Sequence, residues 1–283
     1  MTDIQSLLNK QDFIELSARE RAKVLLDEGT FRELLDPFAR VMSLWLVQQN
    51  IVPQADDGVV VAKGSIQEHP VVLISIEGLF QGGSLGEVGG AKIAGALELA
   101  VEDNLKGIPT AAILLLETGG VRLQEANLGL AAIAEIQAAI VNLRQYQPVI
   151  AVVAGSVGCF GGMSIAAGLC SYIVMTQEGR LGLNGPQVIE QEAGVQEYNA
   201  KDRPFIWSIT GGNQRFTSGL ADAFVDDDRQ KIRQQVIDYL TQGVPHQHRS
   251  SNYTFYLEKL QQIDTAEQIT PAQVQALYQG EQA

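Results

Sequence analysis

Apolar residues in this chain come in unbroken blocks more often than in alternation. Residues 111–116 (AAILLL) and 149–154 (VIAVVA) are continuous apolar runs. Runs of that length read as strands covered on both faces, as in a parallel sheet. Each run stops at glycines, and apolar positions then recur at helical spacing, over 128–140 after the first and up to residue 168 after the second. Residues 59–62 and 71–76 read as β around a polar turn at 64–69, residues 172–176 as a short strand, and 180–183 as a candidate for another. Ser17-Ala18-Arg19-Glu20 is a capping box, so a helix runs over about residues 18–28 and stops at Gly29. A second short helical piece ends at Asp36-Pro37, and a long helix spans 87–104. Pro186 suits the first turn of a new helix after Asn184-Gly185. Short helices are expected over 200–228, then helices over 231–240 and 271–278. Residues 1–16 read as a surface segment, and 38–57 fit no single pattern. The stretch from residue 243 onward packs on a partner or on the domain surface. Alternation of strand and helix predicts an α/β architecture.

The two glycine stretches carry the chemistry. The first is Thr118-Gly119-Gly120-Val121-Arg122-Leu123-Gln124-Glu125-Ala126, and the second is Gly155-Ser156-Val157-Gly158-Cys159-Phe160-Gly161-Gly162-Met163. A strand that ends in glycines and restarts as a helix leaves backbone N–H groups free. Glycine also lets a ligand approach the backbone, because no Cβ stands in the way. Two such turns on neighbouring strands can aim two donors at one oxygen. One such donor to a developing oxyanion is worth about 3 kcal/mol of barrier.

Composition narrows the alternatives. The chain has 283 residues, 46% hydrophobic, which is ample for a large core. A net charge of −13 and the absence of a basic stripe argue against nucleic-acid binding. The apolar runs are too short to span a bilayer, and the start, Met1-Thr2-Asp3, lacks a basic signal-peptide region. Cys159 and Cys170 are the two cysteines, both in apolar surroundings, as in a reduced cytoplasmic protein. No tightly bound cofactor and no metal site is expected. The glycine spacing matches neither the dinucleotide fingerprint nor the Walker loop, and two cysteines cannot build a four-cysteine zinc site.

Gly82-Gly83-Ser84-Leu85-Gly86 formally fits a nucleophile elbow. A triad would then need a later histidine, and His246 and His248 lie far downstream in a polar stretch. A third glycine turn opening the helix at Glu87 is the better reading. Arg122 is open to two readings: a holder of carboxylate or phosphate, or half of an Arg–Glu structural pair. Cys159 has no histidine near it in sequence, and a small core residue is preferred to a nucleophile.

At these residues the sequence resembles a known family. FQGGSLG (80–86), TGGVRLQEA (118–126), Gly161-Gly162 and NGPQVIEQ (184–191) are similar, in this order, to the carboxyltransferase branch of the crotonase superfamily. SARERAKVLLDEGTFRE (17–33) is also family-like. The resemblance extends to the carboxyltransferase β subunits of acetyl-CoA carboxylase and to propionyl-type carboxylases. It is strongest to the β subunits of biotin-independent malonate decarboxylases, and it covers nearly the whole chain. Three departures stand out: no four-cysteine zinc ribbon, Val121 for the usual Ala, and Thr118 for the usual Ser. The resemblance implies a crotonase-like ββα spiral (the ClpP/crotonase fold). It implies one carboxyltransferase-type domain over 1–283, with a helical N-terminal segment and a helical extension from about 243. The implied reaction is decarboxylation of a malonyl thioester on an acyl carrier protein to the acetyl thioester and CO₂. A related γ subunit, an acyl carrier protein subunit with a CoA-like thiol group, and an acyl-carrier transferase subunit would be partners. The catalytic set would be Gly119, Gly120, Val121, Gly161 and Gly162, with donors at Gly120 or Val121 and at Gly161 or Gly162. Gly82, Gly83, Ser84, Arg122, Gly158 and Cys159 would line the substrate. A biotin-dependent carboxyltransferase half and a non-catalytic scaffold are the competing expectations.

Overall fold

The two continuous apolar runs become adjacent parallel strands in the middle of a sheet. The computed structural model describes residues 11–51, 57–264, 266 and 269–279. Among these, seven strands form one sheet in sequence order: β1 (Arg32–Leu34), β2 (Val59–Ile66), β3 (His69–Ile76), β4 (Ala111–Leu115), β5 (Val149–Val153), β6 (Tyr172–Thr176) and β7 (Ala223–Val225). The first two pairings are antiparallel and the remaining four parallel. Every residue of β4, β5 and β6 is buried, which explains the lack of polar interruption.

Side chains of the central strands alternate between two cores. Ile74, Leu114 and Val153 face one core; Leu73, Ile113 and Val152 face the other. Helix α1 (Ala18–Leu25) packs in the second core. A short α2 (Leu44–Gln48) follows β1. Helices α3 (Glu87–Leu105), α4 (Asn127–Leu143) and α5 (Gly162–Leu169) fill the first core with Ile93, Leu97, Ile136 and Met163. Next come α6 (Pro186–Ala193), α7 (Arg203–Thr210) and α8 (Gly212–Thr217). Helix α9 (Arg229–Gln242) joins α1 in the second core through Ile232 and Val236. The chain ends in α10 (Tyr253–Gln261) and α11 (Pro271–Gln279).

The structure corrects several expectations. Residues 32–34 are an edge strand, not a helical piece; Asp36 caps a 3₁₀ turn at Pro37–Ala39 instead. Gly64 lies within β2, and the hairpin turns at Gln67-Glu68, both at positive φ. Residues 180–183 make only single bridges, while β7 emerges where short helices were expected. Within the predicted surface segment, residues 1–10 lie outside the described residues. Phe13, however, is buried, and Asp227 accepts from the N–H groups of Phe13 and Ile14. The C-terminal extension packs on the domain: Tyr256 donates to Gly219 O, and Gln214 Nε2 donates to Pro271 O.

The β2–β3 hairpin is tied to the second core by Asp27. Its carboxylate accepts from Ser65 Oγ, from the Gln67 and Glu68 N–H groups, and from Arg233. Burial alone would raise the Asp27 pKa, yet these hydrogen bonds and the Arg233 charge hold it below its ordinary value. A lowered folded pKa adds stability above the unfolded value, about 3.9, and that stability is lost as pH falls through the folded value. Asp27→Asn is therefore expected to lower the urea midpoint most above about pH 5 and progressively less below it. Equal losses at pH 7 and at pH 3 would refute this role.

Candidate active site

Beyond the end of β4 the chain cannot continue as a regular strand, because glycines replace side chains that could pack. It is held by single bridges instead. Thr118 pairs with Cys159, and Cys159 with Leu181. The Thr118 N–H donates to Gly158 O (2.7 Å), the Phe160 N–H to Thr118 O (3.0 Å), and the Cys159 N–H to Arg180 O (2.8 Å). These bonds zip the two glycine turns side by side. Gly120 and Gly161 both have positive φ, 118° and 62°. A Cβ on Gly161 would lie 3.0 Å from the Gly120 Cα. The contact therefore disfavours a side chain at Gly161, and the positive φ disfavours one at both positions.

Donor accounting then separates the candidates. The Gly119 N–H donates to Gly82 O, Gly120 to Thr118 Oγ1, Arg122 to Leu85 O, and Gly161 to Leu183 O. Val121 sits in a bridge with Leu85, in which its neighbours make the hydrogen bonds. Gly162 is the first residue of α5, where the N–H has no partner within the helix. Among the described residues, the N–H groups of Val121 and Gly162 have no acceptor. Both residues are only partly buried. Of the two alternatives open at each turn, the donors left over are thus Val121 and Gly162. Gly119, Gly120 and Gly161 shape the turns with their own N–H groups already committed.

The expected substrate-lining residues divide. Gly82 is exposed and Ser84 half-buried. Arg122 is fully buried, with its guanidinium committed to protein partners. Its guanidinium donates to Asp57 Oδ1 (2.6 Å), Glu125 Oε2 (3.1 Å), Ser84 O (2.7 Å) and Ser84 Oγ (3.3 Å), and it lies over the Phe80 ring. Burial holds the Asp57 carboxyl above its ordinary value, against the pull of Arg122. Cys159 is also fully buried, and burial drives its thiol far above the usual range. Gly83 and Gly158 are buried, and a Cβ on either would strike backbone oxygen, of Glu117 and Arg180 respectively. Ser84, whose motif only formally fits a nucleophile elbow, meets an arginine, and among the described residues no histidine hydrogen-bonds to it.

Sequence reasoning missed the brace behind the turns. Glu117, buried at the end of β4, accepts from Arg21 of α1, from Ser156 Oγ (3.2 Å) and from the Val157 N–H (3.2 Å). A Cβ on Gly155 would collide with its carboxylate. The available signal was a lone acid closing an otherwise apolar run. Among the described residues, no group of three or more His, Cys, Asp or Glu is placed to hold a metal ion, and no helix is long and apolar enough to cross a membrane.

Comparison with known proteins follows the same residues. The carboxyl transferase domain family matches residues 15–281. Malonyl-S-ACP:biotin-protein carboxyltransferase MADC of Malonomonas rubra is 41% identical over 237 residues, covering 80% of this chain and 74% of that protein. A chain of a Pseudomonas malonate decarboxylase hetero-tetramer, solved in complex with malonate, superposes with a TM-score of 0.95 at 67% identity, over 98% of this chain and 100% of that one. The transcarboxylase 12S subunit, solved with methylmalonyl-coenzyme A and methylmalonic acid bound, superposes at 0.66 with 28% identity, over 83% of this chain and 42% of that one.

Two outcomes are expected. Arg122→Met leaves Asp57 and Glu125 buried without their cation and should cost about 3–5 kcal/mol of stability, read by urea unfolding. Ser84→Ala and Cys159→Ala should each keep most of the turnover. A loss near 10⁴-fold with an acyl group trapped on Ser84 would establish covalent catalysis instead.

Proposed function

The chain belongs to the carboxyl transferase domain family, with the crotonase-type fold of that family, and we infer that it is the β-type subunit of a malonate decarboxylase. The observation that carries the reading is the pair of unmatched N–H groups, Val121 and Gly162, on turns pressed together at Gly120 and Gly161. The 67% identity to a malonate decarboxylase chain over almost its whole length supports the same activity.

The chemistry asks for little else. In a malonyl thioester, the bond from the α-carbon to the carboxylate breaks and CO₂ leaves. The electron pair passes into an enolate whose negative charge lies on the thioester oxygen. Charge that develops only in the transition state is best met by donors fixed beforehand. Val121 and Gly162 supply two, and no side chain has to change protonation. A proton from water or from a partner subunit then converts the enolate to the acetyl thioester. Gly82 and Ser84 flank the approach, and Glu117, Arg122 and the buried glycines hold the turns.

The working assembly is a hetero-oligomer. Its further members are a related γ subunit, an acyl carrier protein whose CoA-like thiol group bears the malonyl, and a transferase that loads it. The whole chain acts as one carboxyltransferase-type domain, with residues from about 243 as a helical extension. Both cysteines are free thiols, which suits the reducing cytoplasm. A second reading follows from the MADC relative, whose name assigns transfer of the carboxyl group to a biotin protein. The two readings share the enolate and differ in the fate of CO₂. Avidin leaves a decarboxylase unaffected and stops a biotin-dependent transferase.

Installing Val121 as its α-hydroxy acid replaces one N–H by an ester oxygen and keeps every side chain. This change in the assembled complex is expected to lower kcat for malonyl-thioester decarboxylation by about 10²–10³, with the fold intact by circular dichroism. Unchanged kcat would remove Val121 from the oxyanion hole.

A further inference from the structure

A cavity of about 700 Å³ opens beside the second glycine turn, away from the donors described above. Its lining includes three cations, Arg180, Lys201 and Arg203, against one carboxylate, Glu178. In a chain of net charge −13 this is a local reversal of sign. Among the described residues, none of the three cations forms an ion pair. Arg180 is held rigidly: its Nη2 donates to Ser156 O (2.7 Å) and Val157 O (3.0 Å), and its guanidinium stacks 4.5 Å from the Trp207 ring. Yet its Nε is buried and lacks an acceptor, as Glu178 Oε2 is buried and lacks a donor. Burial and the charge of Arg203 both lower the Arg180 pKa, a strain that a bound anion would relieve.

We propose that this cavity is a phosphate-binding site, in which the guanidinium groups of Arg180 and Arg203 and the ammonium of Lys201 face the phosphoryl oxygens of a phosphate ester. A preorganised arginine with neighbouring cations suits phosphate geometry and charge. Two sources share that chemistry: the phosphate of the thiol arm that carries the acyl group, or a separate phosphorylated metabolite. Phosphate recognition stands on the cavity alone; only the choice of the arm rests on the malonyl-thioester reading.

The test uses the assembled complex and inorganic phosphate, followed by isothermal titration at constant ionic strength. Wild type is expected to bind. Lys201→Ala/Arg203→Ala, whose residues are exposed at the start of α7, is expected to bind on the order of ten-fold more weakly or less. If phosphate raises KM for malonyl on a phosphate-bearing thiol, but not on a phosphate-free thiol, the site receives the carrier arm. If phosphate binds and changes neither KM, the site takes a separate ligand. No binding by wild type, or equal affinity in wild type and variant, overturns the proposal. Wild-type turnover of the phosphate-free malonyl thioester checks the decarboxylase reading independently.

Discussion

The contact between the Gly120 and Gly161 backbones is the constraint from which the site follows. Two loops at the ends of neighbouring parallel strands would ordinarily splay apart to make room for side chains. Here none is present, and a chain of hydrogen bonds from Thr118 to Leu181 closes the gap. Each residue in the zipper spends its own N–H on its neighbour, so the donors that remain lie where the zipper ends, at Val121 and Gly162. The two N–H groups proposed as the oxyanion hole are what is left when the rest of the backbone has been satisfied.

Holding two loops so tightly requires polar groups in places where water cannot help. Two buried ionic clusters do this, one centred on Arg122 and one on Glu117. Arg122 gathers Asp57, Glu125 and the Ser84 carbonyl beneath the first turn. Glu117 joins Arg21 of the N-terminal helix to the Val157 N–H of the second. Buried pairs add little net stability, because desolvation offsets the attraction. Their value here is positional: the family-like SARER segment, far away in sequence, reaches the site through Arg21. These arrangements also commit the Arg122 guanidinium to protein acceptors.

The sheet was legible because its strands are buried on both faces, so AAILLL and VIAVVA permit no other environment. The glycine turns were legible because glycine has few reasons to recur at strand ends. What could not be read was tertiary in origin. Residues 32–34 look helical in isolation and become a strand only because β2 offers an edge. Asp57 and Glu117 look like ordinary surface acids until folding buries them against arginines from distant segments. Cys159 and Gly158 sit inside the motif in sequence, yet alternation along the bridged ribbon turns Cys159 into the core. Cys159 lies in the same core as Met163.

The same geometry bears on how decarboxylation and carboxyl transfer are related. Both begin with an enolate on a thioester oxygen, and both need its charge held while CO₂ departs. In the proposed function, the turns of this chain serve that common step. On that proposal, the fate of CO₂ is decided by what stands opposite the thioester, in surface supplied by another subunit. A partner that presents a biotin would return the carboxyl group to an acceptor, and one that presents only a proton source would let it go. Divergence between the two activities can then proceed in the partner while Val121, Gly162 and their supporting glycines stay as they are.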